Sequence, residues 1–396
     1  MKLAVVIVSP AGYPHSAAFD EVALGLTEAL RGLGHDVVSS RNLAVGDRRA
    51  IVLGANLIPG SGLALPPDAV LYNLEQIDAA STWLTPALLA LYRRHPVWDY
   101  SPANRERLAA RGVPRPTLVP LGHVPALTRI PVRPEGEDID VLFYGSLNPR
   151  RIQVLRALAA AGIAVEQVFG VYGEARDALI ARAKIVLNLH YYEAKVFEVV
   201  RVSYLLANHK AVVSERGADR DEEAAFAPGV AFAAYDAIVP TCRALLADPA
   251  ARAALARAGH ALWTARAQAT FVEPAIAALA PDPWAGSRPL RVLLAPELAD
   301  PGDQHERALA ALAREPGGRD DVTIGLALPR AALAAIPASL ERAAAAGQGD
   351  LLLIERPADR ADWRRLLAGA SRFVATAAQP ELRALAAELG VAVTAG

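Results

Sequence analysis

The sequence predicts an α/β chain of parallel sheets covered by helices, and three observations carry that prediction. Short runs rich in Val, Ile and Leu alternate with amphipathic stretches of helical period from one end to the other, the pattern of repeated strand-helix units. The chain has 396 residues, more than one ordinary core accommodates, so two or three domains are expected. Hydrophobic residues make up 53% and charged residues 21%, the balance of a chain that buries large cores.

Taken in order, Leu3 to Val8 reads as the first strand, Phe19 to Leu33 as a helix closed by Gly34, and His35 to Val38 as the next strand. The apolar run at the N-terminus superficially resembles a signal peptide, but it is short, lacks a small-residue cleavage site and leads into Ser9-Pro10-Ala11-Gly12. A strand is the better reading. Ala50 to Gly54 and Ala69 to Tyr72 are further strands, followed by a helix around Leu84 to Arg94, a strand at Val97 to Tyr100, a helix at Ala103 to Ala110 and a strand at Thr117 to Val119. Residues 1–130 thus form one Rossmann-like domain. Proline and charge from Pro125 to Asp138 mark a linker.

A second series occupies 138–280: strand Val141 to Tyr144, helix Arg151 to Ala161, strand Val165 to Phe169, helix Arg176 to Ala183, strand Ile185 to Leu189 and helix Lys195 to Leu206. Strands Ala211 to Ser214 and Val230 to Ala233 and a helical tail from Val239 to Leu279 complete it. The proline-rich stretch Pro281 to Pro289 then precedes a third, smaller α/β domain at 286–396, with strands at Val292 to Leu294, Val322 to Leu328, Leu351 to Ile354, Phe373 to Ala375 and Val391 to Val393.

Composition narrows the function. A formal net charge of −1 gives no bulk attraction to nucleic acid or anionic lipid. Mean hydropathy is +0.22, yet the excess is spread over many alanines and no apolar run is long enough to span a bilayer; peripheral membrane contact stays open. The single cysteine, Cys242, rules out an intramolecular disulfide and a multi-cysteine metal site. A cytoplasmic protein is expected.

Three strand-end loops carry candidate chemistry, because ligands of open parallel sheets lie at the carboxyl ends of the strands. The first runs from Ser9 to Ser16 and contains Gly12 and His15. An imidazole suits proton removal from a hydroxyl near neutral pH, and a solvated loop histidine is the competing reading. In the second, Phe143 to Arg151, Gly145 permits close backbone approach, Ser146 and Asn148 precede a helix N-terminus, and Arg150 and Arg151 can pair with phosphate oxygens; helix capping by Ser146 or Asn148 with solvated arginines is the alternative. The third, Leu187 to Arg201, sets His190, Glu193 and Lys195 at a helix entrance with Glu198 about one turn inside. There a carboxylate can accept both hydroxyls of a ribose, whereas a local Glu198–Arg201 pair is the simpler alternative. Asp138-Ile139-Asp140 fits a short metal-binding pattern but precedes its strand, so no metal is expected. Asn73, Glu75 and Gln76 follow a first-domain strand and can touch either substrate.

Over roughly residues 1 to 275 the order of these features resembles bacterial GT-B glycosyltransferases of the family 4 (group 1), spore-maturation-protein-like type. The pieces are Ser101-Pro102-Ala103-Asn104-Arg105 with Val119-Pro120-Leu121-Gly122, then Phe143-Tyr144-Gly145-Ser146-Leu147 with Arg150-Arg151, then Phe197-Glu198 followed by Ala211 to Glu215, and finally Leu246 to Leu255. The resemblance implies two Rossmann-like domains in GT-B arrangement, the third domain being accessory. It implies sugar transfer from a nucleotide-diphosphate-sugar to a glycan, protein or small-molecule acceptor, with no cofactor beyond the co-substrate. Glu198 matches the ribose-binding glutamate, and Arg150 or Arg151 with Lys195 would neutralise the diphosphate. Gly12, Gly145, Ser146, Asn148 and His190 complete the expected donor site, and His15 and Glu193 are the expected catalytic groups. A catalytically silent GT-B-like module that binds glycan or protein, and a nucleotide-sugar epimerase on the same fold, are the competing readings.

Overall fold

The computed structural model describes residues 1–77, 81, 83–192, 195–279, 283, 287, 290–295, 322–333, 350–375 and 379–395. The chain divides into two compact units, Met1–Ile276 and Ala277–Gly396.

The first unit begins with β1 (Lys2–Ile7), α1 (Asp20–Gly32), β2 (Asp36–Ser40), β3 (Arg49–Leu53), β4 (Val70–Asn73), α2 (Pro86–Arg94), β5 (Val97–Asp99), α3 (Pro102–Ala110) and β6 (Thr117–Leu118). Its strands form one six-stranded sheet in the order β2-β1-β3-β4-β5-β6, parallel throughout. Helix starts follow the local chemistry: Thr85 and Ser101 accept from the backbone N–H three residues on, and a proline opens each helix. Val6, Val52, Leu71, Leu88 and Tyr92 meet in the core of this half.

The other half of the unit runs β7 (Ile139–Tyr144), α4 (Pro149–Ala160), β8 (Val165–Val168), α5 (Gly173–Arg182), β9 (Ala183–Asn188), α6 (Val199–Ala207), β10 (Ala211–Glu215), α7 (Arg220–Phe226), β11 (Ala231–Ala233), α8 (Ile238–Ala247), α9 (Pro249–Thr264) and α10 (Gln268–Ala277). The sheet order is β11-β10-β9-β7-β8, again parallel, over a core that includes Val141, Phe143, Ile185, Leu187 and the buried Cys242. In both sheets the strand order reverses beside the first strand, between β1 and β3 and between β7 and β9. Such reversals leave a crevice at the carboxyl ends of the strands.

Three departures from the sequence reading have local causes. The helix expected from Lys195 starts at Val199, because Lys195 takes a left-handed φ of 45° that a helix cannot continue. Helix α7, not foreseen, forms behind Asp219, whose carboxylate accepts from the N–H groups of Asp221 and Glu222. The tail is three helices, broken where Asp248 ends α8 and caps α9.

The proline-rich stretch after β6 is pinned rather than loose. Asn208 accepts from the N–H groups of Arg129 and Ile130 at 2.8 Å and donates to Leu127 O at 2.9 Å. Helix α10 returns to the same stretch, where Gly122 N donates to Gln268 Oε1 at 2.7 Å. A Cβ at Gly122 would lie 2.6 Å from Arg266 O, so this crossing requires glycine.

The second unit holds β12 (Leu290–Leu294), β13 (Val322–Leu328), β14 (Asp350–Glu355), β15 (Arg372–Ala375) and β16 (Ala392–Ala395) in the order β14-β13-β12-β15-β16. It too is parallel. Among the described residues no helix is long and apolar enough to cross a membrane.

Candidate functional site

A cavity of about 490 Å³ opens between the carboxyl ends of the two sheets of the first unit. One wall comes from the loops after β1, β3, β4 and β5: Tyr13, His15, Asn56, Leu57, Leu74, Glu75, Gln76 and Tyr100. The other comes from the loops after β7, β8 and β9, with Tyr144, Gly145, Ser146, Phe169, Tyr172 and Tyr191, and from helix residues Arg151, Arg176, Arg201 and Tyr204. Glu198, immediately before α6, also lines it.

At the turn after β7, Gly145 has a φ of +146°, which disfavours any side chain. A Cβ there would lie 3.2 Å from Arg201 Nη2 and 3.5 Å from Arg151 Nη1, so the glycine lets two guanidinium groups lie against the backbone. Arg151, 2% exposed, donates to Ser146 O at 2.8 Å and also to Leu189 O. Arg201 donates to Asn188 Oδ1 at 3.2 Å. Both reach Glu198, with Arg151 Nη2 3.2 Å from Oε1 and Arg201 Nη1 2.8 Å from Oε2. Burial pulls the Arg151 pKa down to about 10, partly offset by the Glu198 charge, and among the described residues the buried Arg151 Nε has no hydrogen-bond partner. Two cations thus share one carboxylate beside an exposed Ser146, an arrangement with spare positive charge for an anion.

A second ion network crosses the cleft. Glu21 of α1 receives Arg176 of α5 at 2.7 and 3.1 Å and Arg129 at 2.8 Å. Asp177 accepts from Tyr204 Oη at 2.8 Å and from Arg129 at 3.1 Å. Arg176 and Glu21 are 7% and 10% exposed at their side chains, so this pair is largely desolvated. At the mouth, His15 Nδ1 lies 2.7 Å from Tyr172 Oη, and its ring sits 5.0 Å from that of Phe169 and 5.3 Å from that of Tyr13.

The loop after β4 is fixed residue by residue. Glu75 O accepts from Asn73 Nδ2 at 2.8 Å and Asn104 Nδ2 at 2.9 Å, and Ile77 N donates to Asn104 Oδ1 at 2.9 Å. Gln76 makes a two-way amide pairing with the Val196 backbone across the cleft, at 3.2 and 3.3 Å. Burial, and then the charge of Glu198, push the Glu75 pKa up to about 6. Behind it, buried Asp99 accepts from Asn73 Nδ2 at 2.7 Å and from Ser101 N at 2.8 Å, while burial raises its pKa to about 7.

The structure brings Gly145, Ser146, Arg151, Glu198 and His15 to the cavity and places other expected residues elsewhere. Arg150 is turned away, paired with Glu215 and 4.2 Å above the Tyr235 ring. Successive helical residues point about 100° apart, so Arg150 and Arg151 cannot share a face. Asn148 is occupied as the cap of α4, accepting from Arg151 N at 2.8 Å. His190 is buried behind the wall with Nε2 3.1 Å from Glu215 O, and Lys195 Nζ lies 3.8 Å from Glu215 Oε1. Gly12 forms an exposed turn off the cavity lining. Glu193 lies outside the described residues. Asp138 and Asp140 pair with Arg182 and Lys184 at the amino end of β7, opposite the cavity. Sequence reading missed Arg176, Tyr204, Phe169 and Tyr172; Arg201 was visible only as a partner for Glu198, which it is.

No protein-family model matches the chain. Three uncharacterized proteins of Acanthamoeba polyphaga mimivirus are similar in part: 35% identical over 81 residues, 30% over 112 and 33% over 78. These matches cover 20%, 28% and 19% of this chain, and it spans 9%, 37% and 11% of those relatives' lengths. Among solved structures, AviGT4, a glycosyltransferase involved in avilamycin A biosynthesis, is similar over 70% of this chain and 97% of its own, at 18% identity and a TM-score of 0.46. Anabaena HepE in complex with UDP and glucose is similar over 70% and 98%, at 11% identity and a TM-score of 0.49. WaaG, a glycosyltransferase involved in lipopolysaccharide biosynthesis, is similar over 70% and 100%, at 13% identity and a TM-score of 0.46.

Proposed function

We propose that this chain is a glycosyltransferase of GT-B arrangement that moves a sugar from a nucleotide-diphosphate-sugar to an acceptor in the cleft between its first two sheets. One observation carries the reading: at the strand-order reversal of the second sheet, the Gly145 turn holds Arg151 and Arg201 against a single carboxylate, Glu198. A diphosphate supplies the further negative charge that this pair lacks, and Glu198 is placed to accept ribose hydroxyls. As the bond to the phosphate breaks, the two guanidinium groups meet the developing charge, a reading that needs no metal ion. The opposite wall, with His15, Glu75, Gln76 and the aromatic rings at the mouth, holds the acceptor. Residues 1–130 form the acceptor side, 138–280 the donor side and 286–396 an accessory domain.

The test is incubation of the full chain with UDP-, GDP-, dTDP- and ADP-sugars and a set of saccharide acceptors. Release of nucleoside diphosphate with a glycosylated product is expected. Tight nucleotide binding without release under every acceptor would instead identify a catalytically silent binding module.

A further inference from the structure

The segment that presents Glu198 to Arg151 and Arg201 is held from both halves of the first unit. It is irregular, since Lys195 takes a left-handed φ of 45° and α6 starts only at Val199. Its own half holds it through Lys195, whose N–H donates to Tyr192 O at 3.2 Å and whose carbonyl accepts from Ala218 N at 3.0 Å. The Phe197 ring adds packing, 5.1 Å from Phe226 and 5.2 Å from Phe232. Between these two anchors lies the buried Val196, and among the described residues the bonds to its backbone come from the other half alone. Gln76 Oε1 accepts from Val196 N at 3.3 Å, and Gln76 Nε2 donates to Val196 O at 3.2 Å. The far end of this tie is fixed without help from the Gln76 side chain. Asn73 and Asn104 hold Glu75 O, Asn104 and Arg107 hold Ile77, and Gln76 O accepts from Ser81 Oγ at 3.2 Å. Buried backbone N–H and C=O groups must be paired, and the glutamine amide offers the one donor and one acceptor that a peptide group needs.

We infer that Gln76 is a positioning residue for the donor site: from the opposite half it sets the Val196 backbone and, through it, the place of the Glu198 carboxylate. The inference rests on the transferase reading above and adds to it that the donor site is complete only when the first half is docked against the second. Only Phe197 separates Val196 from Glu198, so a displaced Val196 carries the carboxylate with it. Hydrogen bonds weaken steeply with misalignment. A shifted Glu198 therefore loses its alignment with ribose hydroxyls and with the two guanidinium groups that it holds. Gln76 touches none of these groups through its amide, which is engaged on both sides by Val196; its effect on the donor passes through the backbone of residues 196–198.

The experiment titrates the full chain calorimetrically with UDP, GDP, dTDP and ADP, at about pH 5 and about pH 8, for wild type, Gln76→Leu and Gln76→Glu. The diphosphate that binds wild type should bind Gln76→Leu about tenfold more weakly at both pH values, the size of a lost contact to the ribose. Gln76→Glu is the conservative variant: its protonated carboxyl reproduces both bonds of the amide, whereas its ionised form has no donor for Val196 O. Burial keeps the introduced carboxyl protonated at the lower pH, so its affinity relative to wild type should lie within about twofold at about pH 5 and fall about tenfold by about pH 8. Stoichiometry should stay at one site per chain, because a folding defect removes sites and leaves the affinity of the remaining ones unchanged. A Gln76→Leu affinity within about twofold of wild type, a Gln76→Glu ratio that does not change with pH, or a loss confined to stoichiometry overturns the positioning role and leaves the donor site standing. A wild type that binds none of the four diphosphates overturns both.

Discussion

Replacing Glu198 by alanine removes the one carboxylate that both cleft arginines share, and the structure sets the size of the penalty. Arg201 is the lesser loss: its side chain is 20% exposed, so water can replace the ion pair, and it keeps Asn188. Arg151 is the larger one, being 3% exposed at its side chain and left, among the described residues, with the carbonyls of Ser146 and Leu189 and the rings of Phe143 and Tyr191. Breaking a buried pair by removing one partner costs about 3–5 kcal/mol. The two retained carbonyls place Glu198→Ala near the lower end, at about 3 kcal/mol, and Glu198→Gln, which keeps an acceptor oxygen, nearer about 2 kcal/mol. Urea unfolding followed by circular dichroism measures both. Adding a nucleoside diphosphate should recover part of the loss, since its phosphates supply the missing counter-charge. A destabilisation below about 1 kcal/mol for Glu198→Ala would refute the buried arrangement of Arg151 from which the estimate is worked.

The pair that ties α1 to α5 should behave as a unit: in a double-mutant cycle, Glu21→Met and Arg176→Met should show a coupling of about 2 kcal/mol, and strict additivity would deny the bidentate contact. Gly145→Ala should lower nucleoside diphosphate affinity about tenfold while changing nucleoside affinity little, because the new methyl meets the two guanidinium groups and not the base. Calorimetry with each ligand checks this, and unchanged diphosphate affinity would count against the Gly145 turn as the phosphate cradle.

Most of the strand and helix order was legible because the β-α units carry local signals: an apolar run, a polar turn and, before α2, α3 and α4, a capping residue, Thr85, Ser101 or Asn148. Gly145, Ser146, Arg151 and Glu198 drew notice for a related reason, since each lies in a strand-to-helix connection or at the start of the helix that follows. Choosing among neighbours was harder. Arg150 and Arg151 look alike in sequence, yet helical geometry sends one to Glu215 and the other to the cleft. Glu198–Arg201 looked like a local alternative to a functional carboxylate, and in the structure the same residue both makes that pair and lines the cavity. Glu21 and Arg176 are 155 residues apart, and no local pattern announces such a partner. Glu75 drew notice only for its place after a strand; the loop that carries it is fixed by Asn104, bonded to the Glu75 carbonyl, and by Val196, bonded to Gln76, both from distant segments.

The measurement that bears most directly on the central claim is calorimetric titration of wild type and Arg201→Gln with UDP, GDP, dTDP and ADP and with the corresponding nucleosides. One of the diphosphates should bind wild type with one site per chain, and Arg201→Gln should weaken that diphosphate about tenfold while leaving its nucleoside nearly unchanged. No binding of any diphosphate to wild type, or equal losses for diphosphate and nucleoside, would contradict a donor site built on Arg151, Arg201 and Glu198.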